Sequence, residues 1–265
     1  MAELLQHNSL SELHDGKNIF FCKTDYLDKD FKYISNIKQK VILITGNADE
    51  GITDTHVARA PPNIKKWFCQ NVQTNSDLVE AIPLGLENII ECCRKGHGVS
   101  WRHAEEKHQT LSDIWSNPST KEPSRLIYGN FNSSTAPECR VNLMNHAKSI
   151  DHITWNEPDL SYSKFIEEAL DHEAVLCPSG NGVDTHRFYE TLYLGRIPII
   201  FKHWYQGGHF WFKKLYHKFP VVVVGEKDLY NQTIMEEKIQ EAKSRECDPQ
   251  CLDARYWKAK ITSNI

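Results

Sequence analysis

From residue 126 onward, short apolar runs alternate with longer amphipathic stretches, and this alternation limits the fold more than any other feature of the 265 residues. The apolar runs are 126–131, 152–155, 174–177, 197–201 and 219–224. Between them, 137–150, 162–173, 184–195 and 208–217 carry a helical apolar period, as does 228–244 after the last run. Strands separated by a helix each do not pair as hairpins, so the pattern predicts an α/β fold with a parallel sheet covered by helices. In such sheets ligands bind beyond the carboxyl ends of the strands, where loops lead into helix N-termini.

The first 120 residues repeat the theme less regularly, with strands expected at 18–22, 41–45, 66–69 and 81–83 and a helix at 86–95. The polar stretch 105–124, with Asn117-Pro118 and Glu122-Pro123 near its end, precedes the first strand of the second part and marks the boundary between the two. The expected organisation is a first Rossmann-like lobe over 1–122 and a second over 123–250. A C-terminal segment, 251–265, follows, and its helix at 252–260 returns to the first lobe.

Charge and composition remove several functions. Lys and Arg number 31 against 35 Asp and Glu, a net charge of −4, so no basic excess is present to neutralise a nucleic-acid backbone. No apolar stretch approaches the roughly 20 residues of a membrane span, and the N-terminus lacks a basic region followed by an apolar run. A cytoplasmic protein is expected. Cys22, Cys69, Cys92, Cys93, Cys139, Cys177, Cys247 and Cys251 are scattered without a CxxC pair and read as buried thiols. Cys247 and Cys251 alone could bridge locally. The histidines contain no HExxH and no zinc spacing, so no metal is expected.

The chemistry concentrates after the run 174–177, in Pro178-Ser179-Gly180-Asn181-Gly182-Val183, with Asp184 and Thr185 leading into a helix that Asp184 is placed to cap. Glycines 180 and 182 allow a ligand to approach the backbone, and a helix N-terminus favours an anion. That is the outline of a diphosphate site. His186 and Arg187 fall in the first helical turn, where Arg187 could offset the charge of a leaving group. Glu190 shares a helix face with Arg187, and a carboxylate there can accept two vicinal ribose hydroxyls. An ordinary glycine-rich turn followed by a surface Arg187–Glu190 pair would read the same way.

The whole run from Val175 to Ile200 resembles the donor-binding signature of exostosin-like glycosyltransferases of family 47 type, in particular the small soluble members of bacteria and large algal viruses. Three further blocks occur in the order that family shows: Ile44-Thr-Gly-Asn-Ala-Asp-Glu-Gly-Ile-Thr-Asp54; Pro62 to Asn71 with Ile82 to Asn88; and Tyr128-Gly-Asn-Phe-Asn132 with Arg140. Thr45-Gly46 departs from an expected Ser-His pair, and Gly129 stands where a hydrophobic residue is usual.

The resemblance implies a GT-B architecture, two Rossmann-like lobes facing across a cleft. It further implies metal-independent, inverting transfer of a sugar from a nucleotide sugar to a hydroxyl of an acceptor glycan, with UDP-xylose the best guess for the donor. No cofactor is required. Tyr128, Asn130, Asn132 and Arg140 would join the donor site, and the base would be a first-lobe carboxylate. Asp49, four residues past a strand end, is preferred; Asp54 is second and His56 third. Glu50, His56 and Trp204 are expected on the acceptor side. Of Trp67, Trp101, Trp204, Tyr205 and Trp211, most are expected in the core, with the loop Trp204–Gly208 as the exception. The competing readings are a non-catalytic nucleotide-sugar or carbohydrate-binding protein, and a sugar-nucleotide-modifying enzyme. The latter would need a third glycine that the Ser179–Asp184 turn lacks.

Overall fold

The structure is a computed structural model that describes residues 3–6, 8–87, 101–118, 122–202, 208–245 and 248–265. Its first part holds β1 (Ile19–Lys23), α1 (Leu27–Ile34), β2 (Val41–Gly46), β3 (Ile52–Thr53), α2 (Asp54–Ala58), β4 (Ile64–Cys69), β5 (Val72–Gln73), β6 (Val79–Ala81) and α3 (Trp101–Ser116). Its second holds β7 (Arg125–Gly129), α4 (Pro137–Lys148), β8 (Ile153–Trp155), α5 (Tyr162–Leu170), β9 (His172–Leu176), α6 (His186–Tyr193), β10 (Ile197–Phe201), α7 (Gly208–Lys214), β11 (Val222–Val224), α8 (Gln232–Ser244) and α9 (Ala254–Thr262). All strand pairs of these sheets are parallel. The chain is therefore an α/β protein with parallel sheets, compatible with a Rossmann-like fold.

Strand order separates the two main sheets. The first runs β1-β2-β4-β6 and never reverses, whereas the second runs β11-β10-β9-β7-β8 and reverses between β7 and β9. That reversal is a topological switch point, where the connections leaving adjacent strands diverge and open a crevice at the carboxyl edge.

The central strands of the second sheet are buried on both faces, and successive side chains point to opposite faces as a two-residue period demands. Ala174, Leu176, Ile197 and Ile199 pack on Leu143 and Ala147 of α4 and on Met235 and Ile239 of α8. Val175, Cys177 and Ile200 face Phe165 and Ile166 of α5 and Phe188 and Leu192 of α6. This second face is continuous with the core of the first sheet, so the two sheets share one apolar cluster. Tyr193 adds polar ties across it, accepting from the Leu5 amide (3.0 Å) and donating to the Leu252 carbonyl (2.7 Å). Helix α9 is linked to the first part by Lys258–Glu3 (2.6 Å) and by Lys260–Glu80.

The polar stretch 105–124, where the boundary between lobes is expected, is not irregular. Most of it is α3, whose Leu111 is fully buried and whose Ile114 and Trp115 pack against the shared core. The wide polar face of this helix hid an apolar stripe at 111, 114 and 115. Neither α1 nor α2 was anticipated. Most of the expected helix at 86–95 lies outside the described residues, as do Cys92, Cys93, Cys247, Trp204 and Tyr205 and the side chain of Trp101. Trp67 and Trp211 are fully buried, and Cys251 is a buried free thiol.

Both departures from the family pattern have packing explanations. Thr45 is buried and accepts from the Trp67 indole (2.9 Å). A Cβ at Gly46 would lie 2.5 Å from Gln70 Oε1, the atom that accepts from the Asn47 amide. At Gly129 a Cβ would meet the Trp155 ring at 2.9 Å and Leu176 at 3.2 Å. Gly129→Val is accordingly expected to cost about 1–3 kcal/mol through overpacking, read as a lowered urea midpoint. An unchanged midpoint would mean that the Trp155 ring moves aside freely.

Candidate active site

A cleft of about 790 Å³ lies between the carboxyl edge of the first sheet and the switch point of the second. Its volume is within the range of small-molecule sites. One wall comes from the ends of β1, β2 and β4 and carries Lys23, Asp25, Asp49, Glu50 and Asn71; the other carries Thr135, Arg140, Gly180 to Gly182 and Asp184 to Arg187. Charge is unevenly divided. Asp25, Asp49 and Glu50 stand on the first wall with one lysine, Lys23, and Arg140 and Arg187 on the second with the buried Asp184.

The second wall is built around the turn after β9. Thr185 is the N-cap of α6 but makes no side-chain cap bond, which leaves the helix amides and dipole facing the turn. Arg187 donates through Nε to Glu190 (3.0 Å) and through Nη1 to the Asn130 carbonyl, and its guanidinium lies 4.1 Å from the Phe165 ring centroid. Its Nη2 has no hydrogen-bond partner among the described residues. Arg140 commits three of its five N–H groups to backbone carbonyls: Nε to Ser179 (2.8 Å), Nη1 to Asn132 (3.0 Å) and Nη2 to Pro178 (3.2 Å). No carboxylate pairs with Arg140 among the described residues, and burial together with nearby Arg187 pulls its pKa down to about 10. Two cations held close together in a desolvated wall favour an anion between them.

From Glu87 in the cleft lining, an ion network absent from the sequence reading runs inward to the buried Glu190. Lys107 of α3 reaches Glu190 and Glu87, each at 2.7 Å. Glu190 is thus 2% exposed, takes Arg187 on one oxygen and Lys107 on the other, and does not line the cleft. Burial works against ionisation of Glu87, but His186 and Lys107 outweigh it and hold the carboxyl at about 2.

Asp184 does not cap α6. Its carboxylate accepts from the Leu84 amide (2.8 Å), Tyr189 (2.7 Å), Tyr216 (2.5 Å) and the Thr185 amide (3.0 Å). Burial nevertheless pushes it up to about 6. It clamps the loop after β6 to α6. Asn71 makes a second clamp, from a left-handed backbone (φ 51°): its Nδ2 donates to the Ala48 carbonyl (3.1 Å) and its Oδ1 accepts from the Asp184 amide (3.0 Å). This one side chain therefore holds both walls.

The remaining expected site residues divide by position. Asp49 and Glu50 line the cleft, and Asn181 donates to Asp49 across it (3.3 Å). Asp54 instead accepts from Thr74 and is not among the lining residues. His56 Nδ1 accepts from the Thr53 amide (3.1 Å) in a capping box, so the proton of the neutral ring sits on Nε2, 3.7 Å from Glu50. His186 donates from Nδ1 to the Gly85 carbonyl (2.7 Å). The expectation that Tyr128, Asn130 and Asn132 project into the cleft does not hold. Tyr128 is fully buried against Phe165 and His172; Asn130 donates to the Asn156 and Glu157 carbonyls; Asn132 accepts from Ser134 in a turn. Ser179 points its hydroxyl at the Val183 carbonyl (3.4 Å).

Among the described residues no three His, Cys, Asp or Glu side chains gather as a metal site, and no helix is long and apolar enough to cross a membrane. Fold and site together define an α/β protein with a cleft at a switch point, cationic on one wall and carboxylate-bearing on the other. Scanned against protein-family models the chain matches none, and a search of curated proteins finds no match.

Proposed function

We propose that the chain is an inverting, metal-independent glycosyltransferase of GT-B architecture. In this reading residues 1–122 form the acceptor lobe, residues 123–250 the nucleotide-sugar lobe, and residues 251–265 return to the first. The observation that carries it is Arg140, a half-buried guanidinium with no carboxylate partner among the described residues, beside Arg187 and the uncapped start of α6. The diphosphate of a nucleotide sugar supplies the missing negative charge.

Asp49 is the base. It takes the proton of an acceptor hydroxyl as that oxygen attacks the anomeric carbon; the bond to the diphosphate breaks, and its electron pair goes to the departing phosphate oxygen. Arg187, Arg140 and the α6 amides stabilise that oxygen, the role a cation plays elsewhere. The acceptor must displace Asn181 from Asp49 before the carboxylate can work. UDP-xylose is the best donor guess, and it rests on the family resemblance alone.

A thermal-shift screen across UDP, GDP and their sugars, with and without EDTA, tests the donor site. One nucleotide at a hundredfold excess over its Kd should add about 2.7 kcal/mol of stability, and EDTA should leave the shift unchanged. Gly180→Val places a side chain over Arg140, from a Cβ 3.5 Å from Nη2, and should abolish the shift without lowering the unliganded melting temperature. No shift with any nucleotide, or a shift that EDTA removes, sinks the proposal. Asp49→Asn and Glu50→Gln address the base. If both retain full transfer the base is elsewhere, and if neither the protein nor any variant transfers sugar while UDP binds, the cleft is a binding site only.

A further inference from the structure

Helix α1 leaves the cleft carrying two unburied aromatic rings. Tyr26, at its N-cap, is 61% exposed, and Tyr33, in its last turn, 62%. They are two of the five large hydrophobic side chains exposed among the described residues. Seven positions separate them, which on a helix means the same face two turns apart, about 10 Å. The face about 100° round the helix is spent on the core, where Leu27, Phe31 and Ile34 are buried.

This face is continuous with the cleft. Lys23 and Asp25, which line the cleft, pair at 2.8 Å, and Lys23 Nζ stands 5.9 Å from the Tyr26 ring centroid. At the other end Tyr33 borders a second cavity of about 240 Å³, with His14, Phe20 and Asp30 in its lining. Aromatic platforms spaced along a surface, with side chains of both charges beside them (Lys23, Asp25, Lys29 and Asp30), suit a chain of sugars. The C–H faces of pyranose rings stack on the tyrosines, and their hydroxyls donate to Asp25 and Asp30.

We propose that the exposed face of α1, from Asp25 and Tyr26 to Tyr33, is an extended subsite for a neutral oligosaccharide whose end enters the cleft. This deepens the glycosyltransferase reading and rests on it for the identity of the cleft. A spacing of about 10 Å accommodates roughly two sugar rings between platforms, so the acceptor is a chain of at least three sugars rather than a monosaccharide. Asp25 and Asp30 are matched by Lys23 and Lys29 along the same stretch, so the face offers no cationic excess to select a sulfated or uronic-acid chain.

The test is a printed array of neutral and anionic glycans of one to six sugars, probed with the full chain and with Tyr26→Ala, Tyr33→Ala and Tyr230→Ala. Tyr230, 55% exposed and adjacent to His146, controls for loss of any surface ring. The unmodified protein should bind neutral glycans of three or more sugars, Tyr26→Ala and Tyr33→Ala should each weaken that binding about fivefold or more, and Tyr230→Ala should not. All three variants should keep the thermal shift with UDP. Equal binding by the two α1 variants, a preference for anionic glycans, or no glycan binding overturns the subsite. Tyrosine-dependent glycan binding without any UDP shift in the unmodified protein would preserve the subsite and overturn the donor reading instead.

Discussion

Replacing Lys107 with methionine should destabilise the protein by about 3–5 kcal/mol, because it leaves the buried Glu190 and the largely covered Glu87 without their shared cation. Glu190 would retain Arg187 at 3.0 Å, but Glu87 would lose the ammonium at 2.7 Å. For a chain of this size the melting temperature should fall by roughly 10 °C. Adding Glu87→Gln to the variant should recover part of the loss, since the amide needs no counter-charge. The pH dependence gives an independent check. A folded-state pKa near 2 against an ordinary value of 4.5 means that the native state binds fewer protons than the unfolded state between those values. Glu87 therefore contributes stability above about pH 4.5, of order 3 kcal/mol, that disappears as the pH falls toward 2. Lys107→Met should flatten this acid limb. A variant that melts within about 2 °C of the unmodified protein at pH 7 would show that the ion network contributes nothing net.

Arg187→Met should reduce sugar transfer by roughly 10²–10³-fold, the cost of removing one preorganised donor from a developing anion. The loss should fall mainly on kcat, with a smaller change in donor KM, because the leaving oxygen carries most charge in the transition state. Lysine should not rescue the activity. Arg187 is fixed by Nε on Glu190, Nη1 on the Asn130 carbonyl and the Phe165 ring, an orientation that only a planar guanidinium satisfies while presenting a third nitrogen. Stability should drop less than in Lys107→Met, since Glu190 keeps Lys107. Activity within tenfold of the unmodified protein would remove Arg187 from the proposed mechanism.

Legibility in the sequence followed the range of each interaction. The Arg187–Glu190 contact was readable from spacing alone, because residues three apart on a helix are neighbours whatever surrounds them. Arg140 was linked to the glycine turn through the family resemblance, and the structure adds how: three backbone carbonyls, two of them 38 and 39 residues away, hold it there. Asp184 misled. Its position before a helix suits a cap, and nothing nearby in sequence announces donors at Leu84 and Tyr216. Tyr128 also misled, because strand alternation places it on the core face rather than toward the cleft. Lys107 was lost with α3, whose polar face concealed a helix. Asn71 belonged to a resemblance block without a role. A left-handed asparagine that bridges two walls leaves no periodic signature.

By itself, then, the sequence determined the alternation of strand and helix, the parallel character of the second sheet, and the glycine turn opening α6, all of which depend on local period and turn chemistry. Tertiary structure alone decided strand order, the core shared by both sheets, and which charges are paired and which are left for a ligand. Those outcomes depend on groups as far as 255 residues apart, such as Lys258 and Glu3, and a hydrogen bond's partner is set by where the folded chain brings an acceptor, not by what stands beside the donor in sequence.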